Sequence, residues 1–349
     1  MAWEVFMMKA AVFEKPFKFN IVDFDMPLPD KGEVLVKIMS VGICGSDMGP
    51  YAGKDLDRRQ PGIIMGHEAA GIVEGTGAGV TLWKAGDRVA INPQIYCEEC
   101  YFCKSGANNL CDNMLLIGSS KRKFLNGAMC QYICISEKQL LKLPDNVSYD
   151  EGALLDPVGN AIRVVRKGSI GIGDNVVVIG CGAIGLMILQ TSGLAGAAKV
   201  IAVSRSESKR KLALEMGADY YISSDDRERA IEDIKALTNG RGADVVIDAA
   251  GFCDTYDFAV TCCKKGGKIV ALGYNGTHLD FPITNLIFKE IQLIGSTGFA
   301  EESPMVLDYI SNGKIKLDRI ITNKFNLEQV QQAFESVHKG NEIKVIINP

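Results

Sequence analysis

The chain has 349 residues, of which 47% are hydrophobic and 23% charged, and its net charge is −4 at pH 7. That length exceeds one ordinary core and predicts two domains, while the composition matches a soluble globular protein and excludes disorder and collagen. The slight negative balance leaves no basic footprint for nucleic acid, and no apolar run reaches the roughly 20 residues of a membrane span, so neither partner is expected.

Met1–Val12 begins with Trp3, Glu4 and Phe6, lacks a basic n-region and is followed by strand-like alternation, so it does not read as a signal peptide. Glu33–Val41 reads as a strand that runs into a turn and ends at Cys44. Soon after come Gly66-His67-Glu68, an extended run over Ala69–Glu74, turn glycines at 75, 77 and 79, and a further strand opened by Gly86-Asp87-Arg88-Val89. Asn92–Leu116 interrupts this β pattern and holds a cysteine cluster, after which Cys130–Ile135 resumes as a short strand before the loop at Pro144.

Beyond Asp156-Pro157 apolar strands alternate with helical segments, the signature of a parallel sheet. Strands are predicted at Val176–Ile179, Val200–Val203, Tyr220–Ile222, Val245–Asp248, Lys268–Leu272 and Ile291–Ile294, and helices at Ile184–Leu194, Glu207–Met216 and Arg227–Leu237. This is a doubly wound nucleotide-binding pattern. The tail predicts a helix near Leu327–Val337 and a last strand at Val345–Ile347. No repeat or low-complexity segment interrupts the order.

Cys97, Cys100, Cys103 and Cys111 crowd four thiols into one short segment of a chain with eleven cysteines, an odd number. Such spacing suits a closed structural zinc site in a reducing cytosol better than a disulfide framework, with an iron–sulfur cluster as the chemical rival and a chance group of buried cysteines as the bland one. Gly180-Cys181-Gly182-Ala183-Ile184-Gly185 follows a strand and opens a helix. In that context the glycines allow a tight turn, close approach of a pyrophosphate and tight helix packing; the alternative is a turn with no ligand. Where an NAD site usually has an acid for the ribose, Ser204 and Arg205 stand, with Lys209 nearby, and this combination suits the 2′-phosphate of NADP(H) better than NAD(H). An exposed arginine at a helix start is the simpler account. Of the three histidines, His67 has a carboxylate beside it, whereas His278 and His338 have no metal-like neighbours. His67 and Glu68 with Cys44 offer imidazole, carboxylate and thiolate to a zinc ion that keeps one position open, although a His-Glu pair alone is more often structural.

Taken together, Gly42-Ile43-Cys44-Gly45-Ser46-Asp47, Gly66-His67-Glu68-Ala69-Ala70-Gly71, Gly86-Asp87-Arg88-Val89, the four-cysteine lobe and the Gly180–Gly185 turn resemble the zinc-containing medium-chain dehydrogenase/reductase family, particularly its sorbitol- and threonine-dehydrogenase branches. The resemblance runs nearly end to end. It implies an α/β protein in which a GroES-like, mostly-β catalytic domain, residues 1–156 completed by 299–349, encloses in sequence a Rossmann domain, residues 157–298. It implies Cys44 and His67 as catalytic zinc ligands and Glu68 as an adjacent carboxylate that ligates or holds a water. Asp156 takes the place of the fourth ligand, directly or through water, and Ser46 matches the hydroxyl that passes the substrate proton outward. Gly49 and Asn323 stand where many relatives have His, and Tyr51 matches a frequent aromatic position near the substrate, with a packed loop tyrosine as its alternative.

The expected protein is a cytoplasmic homo-oligomer, tetramer or dimer, with a catalytic and a structural zinc per chain. It interconverts a small-molecule secondary alcohol, polyol or sugar-derived, and its ketone with NADP(H). A threonine or other amino-alcohol dehydrogenase and a non-catalytic nucleotide-binding relative are the competing expectations.

Overall fold

The structure is a computed structural model that describes residues 7–275, 283–340 and 342–349. His278 and the first six residues of the Met1–Val12 stretch lie outside the described residues. The chain forms two units: Met1–Asp156 with Ser303–Gly313 and Leu317–Pro349, and Pro157–Glu302 with Lys314–Lys316.

The first unit is mostly β. Its antiparallel hairpin, Met7–Lys15 with Lys18–Asp25, gives the strand-like alternation near the start of the chain two paired strands. Its seven-stranded sheet runs in the order Ile321–Asn326, Lys344–Asn348, Glu33–Gly42, Glu68–Thr76, Arg88–Ile91 and Leu140–Lys142, with Tyr132–Ser136 also paired to Glu33–Gly42. Val34, Val36 and Ile38 on the central strand are fully buried and share a core with Val73, Ile91, Val345 and Phe334. Burying each such side chain stabilises by roughly 1.5–3 kcal/mol. The expected helix near Leu327–Val337 begins as a 3₁₀ turn, Leu327–Gln329, and continues as Val330–His338.

The second unit holds a six-stranded parallel sheet in the order Tyr220–Ser223, Lys199–Ser204, Asn175–Ile179, Ala243–Asp248, Cys263–Ala271 and Gln292–Gly295. Its inner strands are apolar along their length because helices cover both faces, and Val176, Val177, Val178 and Ile179 are all buried. The helix Arg227–Leu237 starts where the Asp226 carboxylate accepts the Arg229 N–H at 3.1 Å, and it buries Ala230 and Ile234, one turn apart. The expected helix Glu207–Met216 is split into a 3₁₀ turn, Glu207–Lys209, and a short α-helix, Arg210–Glu215. Leu155–Gly168 and Cys253–Cys262 are helices that periodicity had not signalled. No helix among the described residues is long and apolar enough to cross a membrane.

Candidate functional site

Cys44 caps the short helix Gly45–Tyr51, and a reciprocal pair of bonds fixes that turn: Asp47 N–H donates to the Cys44 carbonyl at 3.0 Å, and Cys44 N–H donates to Asp47 Oδ2 at 3.3 Å. Glu68 enters from the strand Glu68–Thr76, whose antiparallel register sets it opposite Gly42. A side chain at position 42 would collide with the Glu68 carboxylate, so the glycine is what lets thiol and carboxylate share this space. The donor atoms of Cys44, His67 and Glu68 all lie within 4.8 Å of one another.

His67 and Glu68 are buried and Cys44 is half-buried, among buried charged neighbours. Lys344 donates to Glu68 Oε1 at 3.0 Å, to Oε2 at 2.8 Å and to the Ile43 carbonyl at 2.9 Å. Arg59 Nε donates to Asp47 Oδ1 at 3.1 Å. Burial and then Glu68 push the Cys44 thiol well above its usual range, against the pull of Lys344. Asp156, at the start of the helix Leu155–Gly168, lies outside the trio but feels it: burial pushes its carboxyl up to about 6, with His67 pulling it down and Glu68 pushing it further up. The acid groups Cys44, Glu68, Asp47 and Asp156 thus outnumber the buried cations Lys344 and Arg59, and two of them, Cys44 and Asp156, are pushed toward their protonated forms by burial and for want of further positive charge. A divalent cation relieves that excess, and thiolate, imidazole and carboxylate are the donors zinc takes. Ser46 is half-buried on the first turn of its helix.

The structure favours the packed reading of Tyr51 and gives Asn323 a partner. Tyr51 is 1% exposed and packs against Phe19, Phe334 and His338, so it is a core residue and not a substrate contact. Asn323 donates from its amide to Glu342 at 3.0 Å, at the sheet edge.

The four-cysteine lobe brings Cys97, Cys100, Cys103 and Cys111 within 4.8 Å of one another, with Cys97 Sγ 3.4 Å from Cys111 Sγ and 4.0 Å from Cys103 Sγ. Edges of a tetrahedral zinc–thiolate site are roughly 3.8 Å. None of the eleven cysteines is in a disulfide. Backbone N–H groups of Glu99 and Cys100 bring Cys97 down to about 6, whereas burial and the neighbouring thiols push Cys103 up to about 12. Crowded thiols oppose one another's ionisation, and a cation among them removes that opposition.

In the second unit the strand Asn175–Ile179 ends at Gly180, whose φ of +99° suits glycine, and a Cβ at Gly185 would collide with the Gly180 carbonyl oxygen. Gly182 caps the helix Ala183–Leu194, and a Cβ there would meet nothing within 4 Å. Open space therefore lies over the first turn, Ala183 and Ile184, whose N–H groups have no intrahelical partners, as a pyrophosphate requires. Beside it is a cleft of about 490 Å3 lined by Gly180, Ser204, Arg205, Ser206, Arg227 and Phe252, among others. The Arg205 guanidinium lies 6.0 Å from the centre of the Phe252 ring. Tyr221 OH pins the loop by donating to the Ser206 carbonyl at 2.6 Å. Lys209 does not line the cleft; its charge opposes the burial that pushes the Cys181 thiol up to about 11. Arg227 and Phe252 carried no local signal in the sequence, since helix starts display such residues for many reasons. Asp254 is the carboxylate on this lining, and Arg227 is ion-paired with Asp257.

A metal-fit donor trio in one unit and a glycine cradle for a dinucleotide in the other define the class of metal-dependent dehydrogenases. Two family models match the chain, the alcohol dehydrogenase GroES-like domain over residues 30–145 and the zinc-binding dehydrogenase over residues 183–312. The sorbitol dehydrogenase of Bacillus subtilis strain 168 is 31% identical over 349 residues, covering 98% of this chain and 97% of that one. The chain belongs to the zinc-containing medium-chain dehydrogenase family. Among solved structures, a zinc-binding dehydrogenase of Sinorhizobium meliloti 1021 bound to NADP superposes with a TM-score of 0.89 at 29% identity, over 99% of this chain and 100% of that one. An Escherichia coli CFT073 alcohol dehydrogenase complexed with NADH also scores 0.89 at 29% identity, over 98% and 99%.

Proposed function

We propose that this protein interconverts a secondary alcohol, polyol or sugar-derived, and its ketone, with one catalytic and one structural zinc per chain and NADP(H) as hydride carrier. The observation that carries this reading is the convergent Cys44–His67–Glu68 trio in a chain that also bears a dinucleotide cradle. The likeness to a sorbitol dehydrogenase supports a polyol as the alcohol.

Bound at the trio, zinc supplies Lewis-acid polarisation of the alcohol oxygen, while the nicotinamide takes or returns the hydride. Cys44 and His67 hold the metal. Glu68, anchored by Lys344, stands where it ligates directly or holds a water, and Asp156 contributes a carboxylate in the same way. Ser46 hands the substrate proton toward solvent. Cys97, Cys100, Cys103 and Cys111 hold the second zinc and keep their lobe folded.

Gly180, Gly182, Ala183, Ile184 and Gly185 cradle the pyrophosphate. The NADP(H) choice rests on Ser204 and Arg205 at the mouth of the cleft, with Lys209 adding charge. A hydrogen bond from Arg205 to a phosphate contributes about 1.5–3 kcal/mol, or about 10- to 100-fold in preference, with solvent favouring the lower end. Eleven free cysteines support a reducing cytosol, and a tetramer or dimer is the expected assembly, to be read by light scattering. Steady-state kcat/KM with NADP+ and NAD+ across sorbitol, xylitol, short diols, sugar phosphates and threonine tests both halves. A clear NAD preference overturns the Arg205 assignment, and threonine outpacing every polyol overturns the substrate class.

A further inference from the structure

Behind the trio lies a guanidinium that neither the motifs nor the proposed chemistry uses. Arg59 is 2% exposed and spreads its nitrogens over three partners: Nε donates to Asp47 Oδ1 at 3.1 Å, one terminal nitrogen donates to the Arg58 carbonyl at 3.0 Å, and the other lies 3.4 Å from His67 Nδ1. Asp47 is fully buried; its second oxygen accepts the Cys44 N–H at 3.3 Å, and its first is 3.7 Å from His67 Nδ1. One carboxylate therefore stands behind both proposed zinc ligands, and one arginine holds that carboxylate.

We propose that Arg59 is a positioning residue for the catalytic metal: it fixes Asp47 where that carboxylate keeps Cys44 and His67 aimed at a common ion. The proposal rests on the zinc reading of the Cys44 site given above. Three physical points support it. Asp47 is a fully buried carboxylate beside Cys44 and Glu68, and Arg59 is the guanidinium that pairs with it at 3.1 Å. Arg59 also meets the imidazole directly, its other terminal nitrogen lying 3.4 Å from His67 Nδ1, so one side chain touches both the carboxylate that accepts the Cys44 N–H and the ring of His67. The arginine is itself held from behind: the Arg58 carbonyl accepts the Ser120 N–H at 2.9 Å, and the Gln60 N–H donates to Ser120 Oγ at 2.8 Å. Lysine cannot reproduce this, since a single ammonium does not span Asp47 and the imidazole edge in one plane.

The four-cysteine zinc in the same unit is an internal control. Zinc release to a chromophoric chelator is followed in the purified full-length protein, in Arg59→Gln and in Arg59→Lys, with Cys44→Ser marking the trace that lacks the catalytic ion. The expected result is one zinc leaving Arg59→Gln about 10- to 100-fold faster while the other leaves at the unmodified rate, with Arg59→Lys in between. Equal acceleration of both ions shows that Arg59 only stabilises the unit, and unchanged release shows that Asp47 holds without it; either overturns the proposal. If Arg59→Gln does not fold, the same criterion applied to Arg59→Lys decides. Release of a single zinc from the unmodified protein, unaltered in Cys44→Ser, overturns the catalytic-zinc reading itself, and Arg59 falls with it; that failure is recognised before any Arg59 variant is made.

Discussion

The two cysteine-bearing sites of the first unit are built on opposite plans. Cys97, Cys100, Cys103 and Cys111 come from one short segment, are mostly half-exposed, and take their help from adjacent backbone N–H groups. Cys44, His67 and Glu68 come from two strand ends and a helix cap, with His67 and Glu68 buried, and depend on Lys344, which is 276 positions from Glu68. A local loop can close around an ion with little regard to the rest of the chain. An enclosed set of charges needs counter-charges delivered by the whole fold, because removing one partner of a buried pair costs about 3–5 kcal/mol. The closed site should therefore govern local stability, and the open one chemistry.

That contrast breaks most sharply at Cys44. Cys44→Ser is expected to lower kcat/KM by about 10³-fold or more, since several kcal/mol of transition-state stabilisation depend on the metal, while the thermal midpoint stays close to that of the unmodified protein. Retained turnover together with a full complement of zinc would sink the assignment. Cys100→Ser is the converse: the midpoint should fall by about 5–10 °C with loss of one zinc, and kcat/KM per folded molecule should change little, as calorimetry beside metal analysis will show.

Asp156→Asn sharpens the picture of the open site. Removing a carboxylate from around the metal is expected to cost about 10- to 100-fold in activity or zinc affinity. If turnover and zinc content are both unaltered, Asp156 is a helix-start acid and nothing more. The smallest effect concerns the other unit. Joint replacement Ser204→Asp and Arg205→Leu should weaken NADP binding about 10-fold, more than it strengthens NAD binding, and fluorescence titration of both cofactors measures the difference. An unchanged NADP affinity would mean that Arg205 points to solvent above Phe252 without touching the cofactor.

Much of this protein was written locally. The spacing of the four cysteines, the run Gly180–Gly185 after an apolar strand, and the alternation of strands with helices beyond Asp156 each depend on residues a few positions apart, so the glycine turn and parallel sheet appear in the structure where the pattern set them. The boundaries moved where a turn tightened: the last nucleotide-unit strand is Gln292–Gly295 and not Ile291–Ile294. Tyr51 shows the limit of motif reading. Its position beside Cys44-Gly45-Ser46-Asp47 suggested a substrate contact, but its face was decided by Phe19 on the N-terminal hairpin and Phe334 on the C-terminal helix, and no local pattern records that packing.

The same reason separates the ligands from what supports them. Cys44, His67 and Glu68 were legible because donor types and neighbouring glycines are properties of short segments. Arg59 behind Asp47, Lys344 beneath Glu68, and Phe252 beneath Arg205 were not, because an arginine, a lysine or a phenylalanine is ordinary until its partner is known. Covalent order determined which chemical groups this chain possesses and how they are spaced. Tertiary structure alone decided which charges are buried together, since burial and pairing depend on segments the chain brings back from hundreds of residues away.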